Sequence, residues 1–493
     1  MPVAIGPSFF AERIQSECSY RNPTYPHSRA EFFLVRLHMS LFVAACSTTA
    51  IAATYFILRR IGTTGPWNTT LGQLLGLTVQ SKIEGNVKEG YESLRDAFAR
   101  NFAEGYELGA QFVVYVKGEK VVDLCGRSEK NPVSYSADSL QNVWSSSKAV
   151  ESLVVALLVD RGLLSYHAPI ANYWPAFGQN GKEHITVAEL MRHEAGLDIL
   201  KEPLSKEVMA DFVAGGSRLA QLVEQSEPAW SPESKRCYHG QSRGWIVNEL
   251  VRRVDPHGRT VGRLLRECVT DPLGLSETMW LGIPGSMQPT LPLVSLHEQP
   301  RFQTLCSLIL PAVLGLNPKI ANQLKYLGKD SFAAKRWINK SVAYKPQPGE
   351  GPGCANAPFF LEFESPSANV NTNARSLAAV FSKITKLLSS NVLKAACETT
   401  PECLDVGIGV RTEFCHGGWA KNMFNFYPKT HNLGSGWFGW TGWGGSVIQF
   451  HPSAEVAFCY TMTAMQPSLT GDVRARRLVS ALEDALLAQS VMA

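Results

Sequence analysis

Ser145 and Lys148 stand three positions apart in Val143-Trp144-Ser145-Ser146-Ser147-Lys148-Ala149-Val150, a Ser-x-x-Lys arrangement that occurs once in the chain. A serine hydroxyl is a poor nucleophile until a base takes its proton, and a lysine shielded from water can be that base. Behind it, Val150, Leu153, Val154, Leu157 and Leu158 recur at helical spacing, and Gly162 closes the run. That pattern predicts Ser145 at or near a helix N-terminus, with Lys148 one turn later on the same face. A helix N-terminus also favours negative charge building up beside the serine. The same letters suit an ordinary serine helix cap. Two further stretches carry candidate chemistry. Cys237-Tyr238-His239-Gly240 offers a tyrosine, which beside a lysine can shuttle a proton between serine and leaving group. Phe438-Gly439-Trp440-Thr441-Gly442-Trp443-Gly444-Gly445-Ser446 lets a substrate approach backbone N–H groups that would stabilise an oxyanion. Taken singly, the first reads equally as a turn anchor and the second as a tight bend between strands.

The elements that must position these residues follow from the patterning. Gln111–Val116 and Lys120–Leu124 are β-rich runs about Gly118 and predict a hairpin. Helices are predicted behind Ser145, around Thr186–Arg192, and over Gly244–Val254, with Gly262–Glu267 leading into Pro272-Leu273-Gly274-Leu275. The uncharged run Thr304–Leu316 is too short to span a bilayer and reads as a buried helix or a lid; residues 345–358 read as a Pro- and Gly-rich loop. Ser446–Phe450 and Val456–Met462 predict strands about His451-Pro452-Ser453, and Arg474–Leu487 a final amphipathic helix. Strands at both ends with helices between them imply one sheet shared by the ends, with a helical domain inserted.

Composition narrows the class. In 493 residues, 45% apolar and 18% charged content describes a folded globular chain with room for a large core. A formal net charge of +4 with scattered Lys and Arg gives no phosphate-binding face, so nucleic acid is not an expected partner. Eleven cysteines show no C-x-x-C pair and no zinc-ligand spacing, so no metal is expected; Cys397 and Cys403 could close a small loop in an oxidising compartment. Residues 1–36 read as a polar tail. Met39–Leu58 carries no charge over about 20 residues, the length of a membrane-spanning helix. Residues 37–60 therefore read as a single-pass anchor, 61–86 as a linker and 87–493 as the globular domain. The arginines at 21, 29 and 36 against Arg59 and Arg60 place the tail in the cytosol by a small margin. The domain would then be lumenal or extracellular, with Asn68 and Asn339 as glycan acceptors; a mitochondrial membrane is the alternative.

In order and spacing, the three candidate stretches resemble the serine β-lactamase and penicillin-binding-protein superfamily, in particular its class C-like branch of carboxylesterases and animal β-lactamase-like proteins. The resemblance runs from about residue 87 to 490. It includes Cys125-Gly126, Val187–Leu197, Gly244-Trp245, Pro272–Leu275, Ser367-Ala368-Asn369, Ala374–Ala378 and Gly442–Phe450. It implies an α+β, β-lactamase/transpeptidase-like fold with an antiparallel sheet. It also implies Ser145 as the acylated serine, Lys148 as proton acceptor and Tyr238 as the tyrosine of a Tyr-x-Asn motif. Backbone N–H groups of Ser145 and Trp443 would form the oxyanion hole, with Trp440, Thr441 and Gly442 lining the substrate site. His193 would support the fold.

Two positions depart from the family pattern. Gly240 replaces the Asn of Tyr-x-Asn, and Trp440 replaces the Lys or His that opens the last motif. No glutamate takes a deacylating role by sequence. The resemblance thus implies a cofactor-independent serine hydrolase acting on a small ester, amide or lipid, with β-lactams disfavoured. The rival from another class is a catalytically silent scaffold that keeps the fold for binding at a membrane.

Overall fold

The computed structural model describes residues 80–489, apart from 130, 132–133, 231–235, 299–341, 344, 423–435 and 467–470. The anchor read at 37–60, both glycan acceptors and the run Thr304–Leu316 lie outside the described residues. Among the described residues no helix is long and apolar enough to cross a membrane.

Strand β1 (Ser81–Val87) is followed by helix α1 (Glu92–Ala103) and by the hairpin of β2 (Gly109–Val116) and β3 (Glu119–Ser128). Lys117 and Gly118 turn this hairpin with φ of 48° and 80°, the pair of left-handed residues that a two-residue turn requires. A 3-10 turn at Trp144–Ser146 opens helix α2 (Ser147–Asp160). Helices α3 (Val187–Met191), α4 (Ser242–Val254) and α5 (Ala374–Phe381) follow. A short hairpin of β4 (Cys403–Asp405) and β5 (Val410–Thr412) precedes the edge strand β6 (Ala420–Lys421). The last strands are β7 (Phe438–Thr441), β8 (Val447–His451) and β9 (Val456–Met462), and helix α6 (Val473–Ala488) closes the described chain.

The two ends of the chain do share one sheet. Seven strands run in the order β1-β3-β2-β9-β8-β7-β6, with every pairing antiparallel. The two expected strands and the helix at the C-terminal end are present, as is the hairpin about Gly118. Strand β1 is a correction. It begins at Ser81, inside the stretch read as linker, and pairs along its whole length with β3. Its burial alternates weakly and most of its residues are exposed, which is why its pattern did not announce a strand.

Side-chain alternation splits the core between the two faces of the sheet. Phe112, Val114 and Phe458 pack towards α1 and α6, whereas Val113, Ala457 and Cys459 pack towards α2, α4 and α5. Helix α2 is buried on every side from Ser147 to Leu158. A helix buried all round is a core element, and each of its Leu and Val side chains contributes about 1.5–3 kcal/mol of burial. That rigidity is what the nucleophile turn is built on. The loop suggested for Cys397 and Cys403 is not closed: both are free thiols. Cys397 ends a helix and packs against the large core, while Cys403 opens the separate β4–β5 hairpin.

Candidate active site

Ser145 sits in the 3-10 turn directly before α2, and Lys148 in the first turn of the helix itself. The turn is entered through Trp144, whose φ of 47° is unusual for a bulky residue. Its N–H is held by the Asn142 side chain at 2.7 Å. Holding such a residue costs about 1–3 kcal/mol.

Tyr238 comes to this serine from the irregular segment that leads into α4. Its hydroxyl donates to Ser145 Oγ at 2.6 Å. Lys148 Nζ lies 3.5 Å from the same oxygen and also donates to the carbonyls of Gly240 at 2.5 Å and Ser367 at 3.0 Å. Two N–H bonds are thus committed to carbonyls, and a neutral amine has its lone pair left for the Ser145 hydroxyl. Burial, with the Arg243 guanidinium nearby, holds the Lys148 amine well below the usual lysine range, and Glu151 opposes this only in part. The Tyr238 phenol moves the other way, pushed up to about 12 by burial. An unprotonated amine and an intact phenol on one serine can accept its proton and deliver one to a leaving group.

Trp440 lies flat against Tyr238, with ring centroids 6.1 Å apart and 18° between planes, and its indole hydrogen-bonds the phenol. Phe414 also stacks on the indole at 5.1 Å. The position that the resemblance assigns to a cation thus offers one neutral donor.

Gly442 explains how the last motif reaches the serine. A Cβ there would lie 2.1 Å from Ser446 Oγ and 2.2 Å from the Val143 carbonyl oxygen, so only glycine permits the approach. Ser446 Oγ in turn bonds the Val143 carbonyl at 2.7 Å and Ser146 Oγ at 3.0 Å. The turn after β7 is fixed from behind as well, because the Gly444 carbonyl accepts from the Gln466 N–H at 3.0 Å and the Arg474 guanidinium at 2.6 Å. Trp443 therefore stands beside Trp144, with ring centroids 5.1 Å apart. Thr441 is buried at the end of β7, in register with Val447. Of the tryptophans at 437, 440 and 443, Trp440 packs against Tyr238 and Trp443 against Trp144 of the nucleophile turn. Trp437 lies on the opposite face of the sheet, against Phe458 and His451, since residues of odd separation along a strand point to opposite sides.

His193 braces the backbone, as expected. Its carbonyl accepts from the Cys237 N–H and its Nδ1 from the His239 N–H, each at 3.1 Å. His239 is a second brace, since its Nε2 accepts the Leu197 N–H at 2.9 Å. Several supporting residues were not singled out by sequence. Glu151, one turn beyond Lys148, forms a fully buried ion pair with Arg243 of α4 at 3.1 and 3.2 Å. Ser367 donates to Glu151 at 2.6 Å while its carbonyl receives Lys148. The available signal was an acid set among the apolar residues of the helix. Asp405 in β4 accepts the Tyr238 N–H at 3.0 Å, and no local pattern pointed to it. Among the described residues no group of His, Cys, Asp and Glu is arranged to hold a metal ion.

This geometry has known counterparts. A sequence model of the family described as Beta-lactamase matches residues 95–483. The Esterase/beta-lactamase LipL of Mycobacterium tuberculosis is 30% identical over 373 residues, covering 73% of this chain and 78% of that protein. Among solved structures, a penicillin-binding protein homologue from Caulobacter crescentus superposes with a TM-score of 0.65 at 28% identity, over 82% of this chain and all of that one. A family VIII carboxylesterase gives 0.64 at 26% identity, again over 82% of this chain and 100% of the other.

Proposed function

The chain is a serine hydrolase of the beta-lactamase family, and from that premise we propose that it hydrolyses neutral carboxylic esters or amides through an acyl-enzyme on Ser145. The observation that carries this reading is the placement of the Lys148 amine, which is buried, donates to two backbone carbonyls and lies 3.5 Å from Ser145 Oγ, with burial and Arg243 lowering its proton affinity. Ser145 Oγ attacks the substrate carbonyl and its proton passes to Lys148. Tyr238, hydrogen-bonded to the same oxygen, relays a proton to the leaving alcohol or amine. Water then attacks the acyl-enzyme by the reverse relay and restores the serine. The backbone N–H groups of Ser145 and Trp443 hold the oxyanion, one from the turn that opens α2 and one from the turn that Gly442 brings against it.

Substrate choice follows from Trp440. An indole cannot supply a positive charge, and an anionic group beside it would lose hydration without gaining a partner, at a cost of several kcal/mol. Gly240 removes a second polar handle, and Trp144 and Trp443 add an aromatic wall. The names of the relatives, an esterase/beta-lactamase and a carboxylesterase, point the same way. Short p-nitrophenyl esters should be turned over and penicillins hardly at all, and Trp440→His should raise β-lactam hydrolysis relative to ester hydrolysis. Kinetics favouring an anionic β-lactam over a neutral ester in the wild type would overturn the preference.

We further infer that the charge-free stretch Met39–Leu58, with its arginine flanks, anchors the chain in a membrane. A lipid ester would then be within reach. The full chain should remain in the membrane pellet after a carbonate wash and lose that behaviour when residues 1–60 are removed. Release of the intact chain by carbonate would rule the anchor out.

A further inference from the structure

Asp405 lies 167 residues from Tyr238 in sequence and belongs to neither the segment that carries the tyrosine nor the main sheet. It is fully buried at the end of β4. One carboxyl oxygen, Oδ1, accepts three backbone N–H groups: Tyr238 at 3.0 Å, Gly407 at 2.9 Å and Ile408 at 3.2 Å. Its other oxygen is buried without a hydrogen-bond partner. A side chain needed only to shape the β4–β5 turn would be satisfied by Gly407 and Ile408, and the third bond reaches across to the residue that touches the nucleophile. The approach is tight. A Cβ on Gly407 would lie 3.0 Å from the Tyr238 nitrogen and 2.8 Å from Cys237 Sγ.

We propose that Asp405 is the positioning residue for Tyr238, clamping its backbone so that the phenol stays on Ser145 Oγ. This rests on the reading of Tyr238 as the proton relay. The other contacts of this segment hold its neighbours: His193 receives the N–H groups of Cys237 and His239, which leaves the Tyr238 N–H to Asp405. The clamp has a charge aspect as well. Burial pushes the Asp405 carboxyl up to about 6, against the pull of its N–H donors and of the Arg236 guanidinium. Arg236 is itself committed to Glu194 and to the Thr412 carbonyl, each at 2.6 Å, so the carboxylate has no ion pair of its own. An acceptor oxygen is therefore what the position needs, more than a charge.

The test uses the full chain and p-nitrophenyl butyrate. A misplacement of about 1 Å can cost about 100-fold in rate. Asp405→Ala should accordingly lower kcat by about 30- to 100-fold with KM within about threefold of wild type, since the ester itself does not touch Asp405. Asp405→Asn keeps an acceptor oxygen and should restore kcat to within about fivefold. Gly407→Ala, which leaves every charge in place, should lower kcat by about tenfold by pressing on the Tyr238 backbone. Each variant is checked for folding by thermal melting. A folded Asp405→Ala with wild-type kcat would overturn the proposal, as would an Asp405→Asn as impaired as the alanine variant. Should Asp405→Ala not fold, Gly407→Ala decides in its place, and a wild-type kcat there refutes the clamp. Wild-type protein whose Ser145 neither labels with a fluorophosphonate nor turns over ester would refute the hydrolytic mechanism, and the role of Asp405 with it. Active wild type with an unimpaired Asp405→Ala refutes the clamp alone.

Discussion

Ser145→Ala protein is expected to fold as the wild type does, to take up no fluorophosphonate, and to lose ester turnover by about a millionfold, the scale on which loss of an activated serine acts. The side chain removed is a small buried hydroxyl bonded to Lys148 and Tyr238, so stability should change little. Lys148→Ala should be weaker in effect but still severe, at about 100- to 10,000-fold, since it removes a general base and leaves the serine in place. The pH profile separates the base from a structural lysine. Burial and Arg243 disfavour the protonated amine, so the base form persists well below the ordinary lysine range. Activity should fall as the pH drops through the Lys148 pKa, and that acid limb should lie well below the ordinary lysine value. Tyr238 stays a phenol throughout, its pKa being pushed up to about 12. An acid limb near the ordinary lysine value of about 10.4 would contradict the assignment of Lys148 as a neutral base.

Breaking the ion pair beneath the site should have the largest effect on stability. Glu151 and Arg243 are both fully buried and joined by two bonds, at 3.1 and 3.2 Å. Arg243 also donates to the carbonyls of Met191 at 2.9 Å, Gly418 at 3.1 Å and Lys148 at 3.3 Å. Arg243→Met would leave a buried carboxylate held by the Ser367 hydroxyl without its cation and should cost about 3–5 kcal/mol in denaturant unfolding. Removing both charges, as in Arg243→Met with Glu151→Met, should recover part of that loss, because the penalty comes from the uncompensated charge. If the single and double variants unfold alike, the carbonyl bonds of Arg243 dominate and the ion pair contributes little.

Much of the site is legible along the chain because its parts are local. The spacing of Ser145 and Lys148 is a property of one helix start, and the apolar repeat from Val150 to Leu158 announces that helix without its neighbours. The glycines around Trp440 and the strand pattern from Val456 to Met462 are likewise short-range. Three such stretches in one order were enough to identify the superfamily and its fold, which the sheet formed from both ends of the chain bears out.

What only the tertiary structure decided are the contacts made by residues whose roles depend on what burial places beside them. The proton affinity of Lys148 is set by desolvation and by Arg243, which comes from another helix. Three tryptophans close together in sequence divide between two faces of the sheet, since alternation along the strand sends Trp437 into the opposite core. Gly442 reads as one glycine of a flexible run until the Val143 carbonyl is found where its side chain would be. Asp405 has no pattern around it at all; its meaning lies in a bond to Tyr238 across 167 residues of chain. Local periodicity records which residues are buried and on which element, whereas electrostatics and hydrogen bonding depend on pairs that only the packed chain brings within about 3 Å of one another.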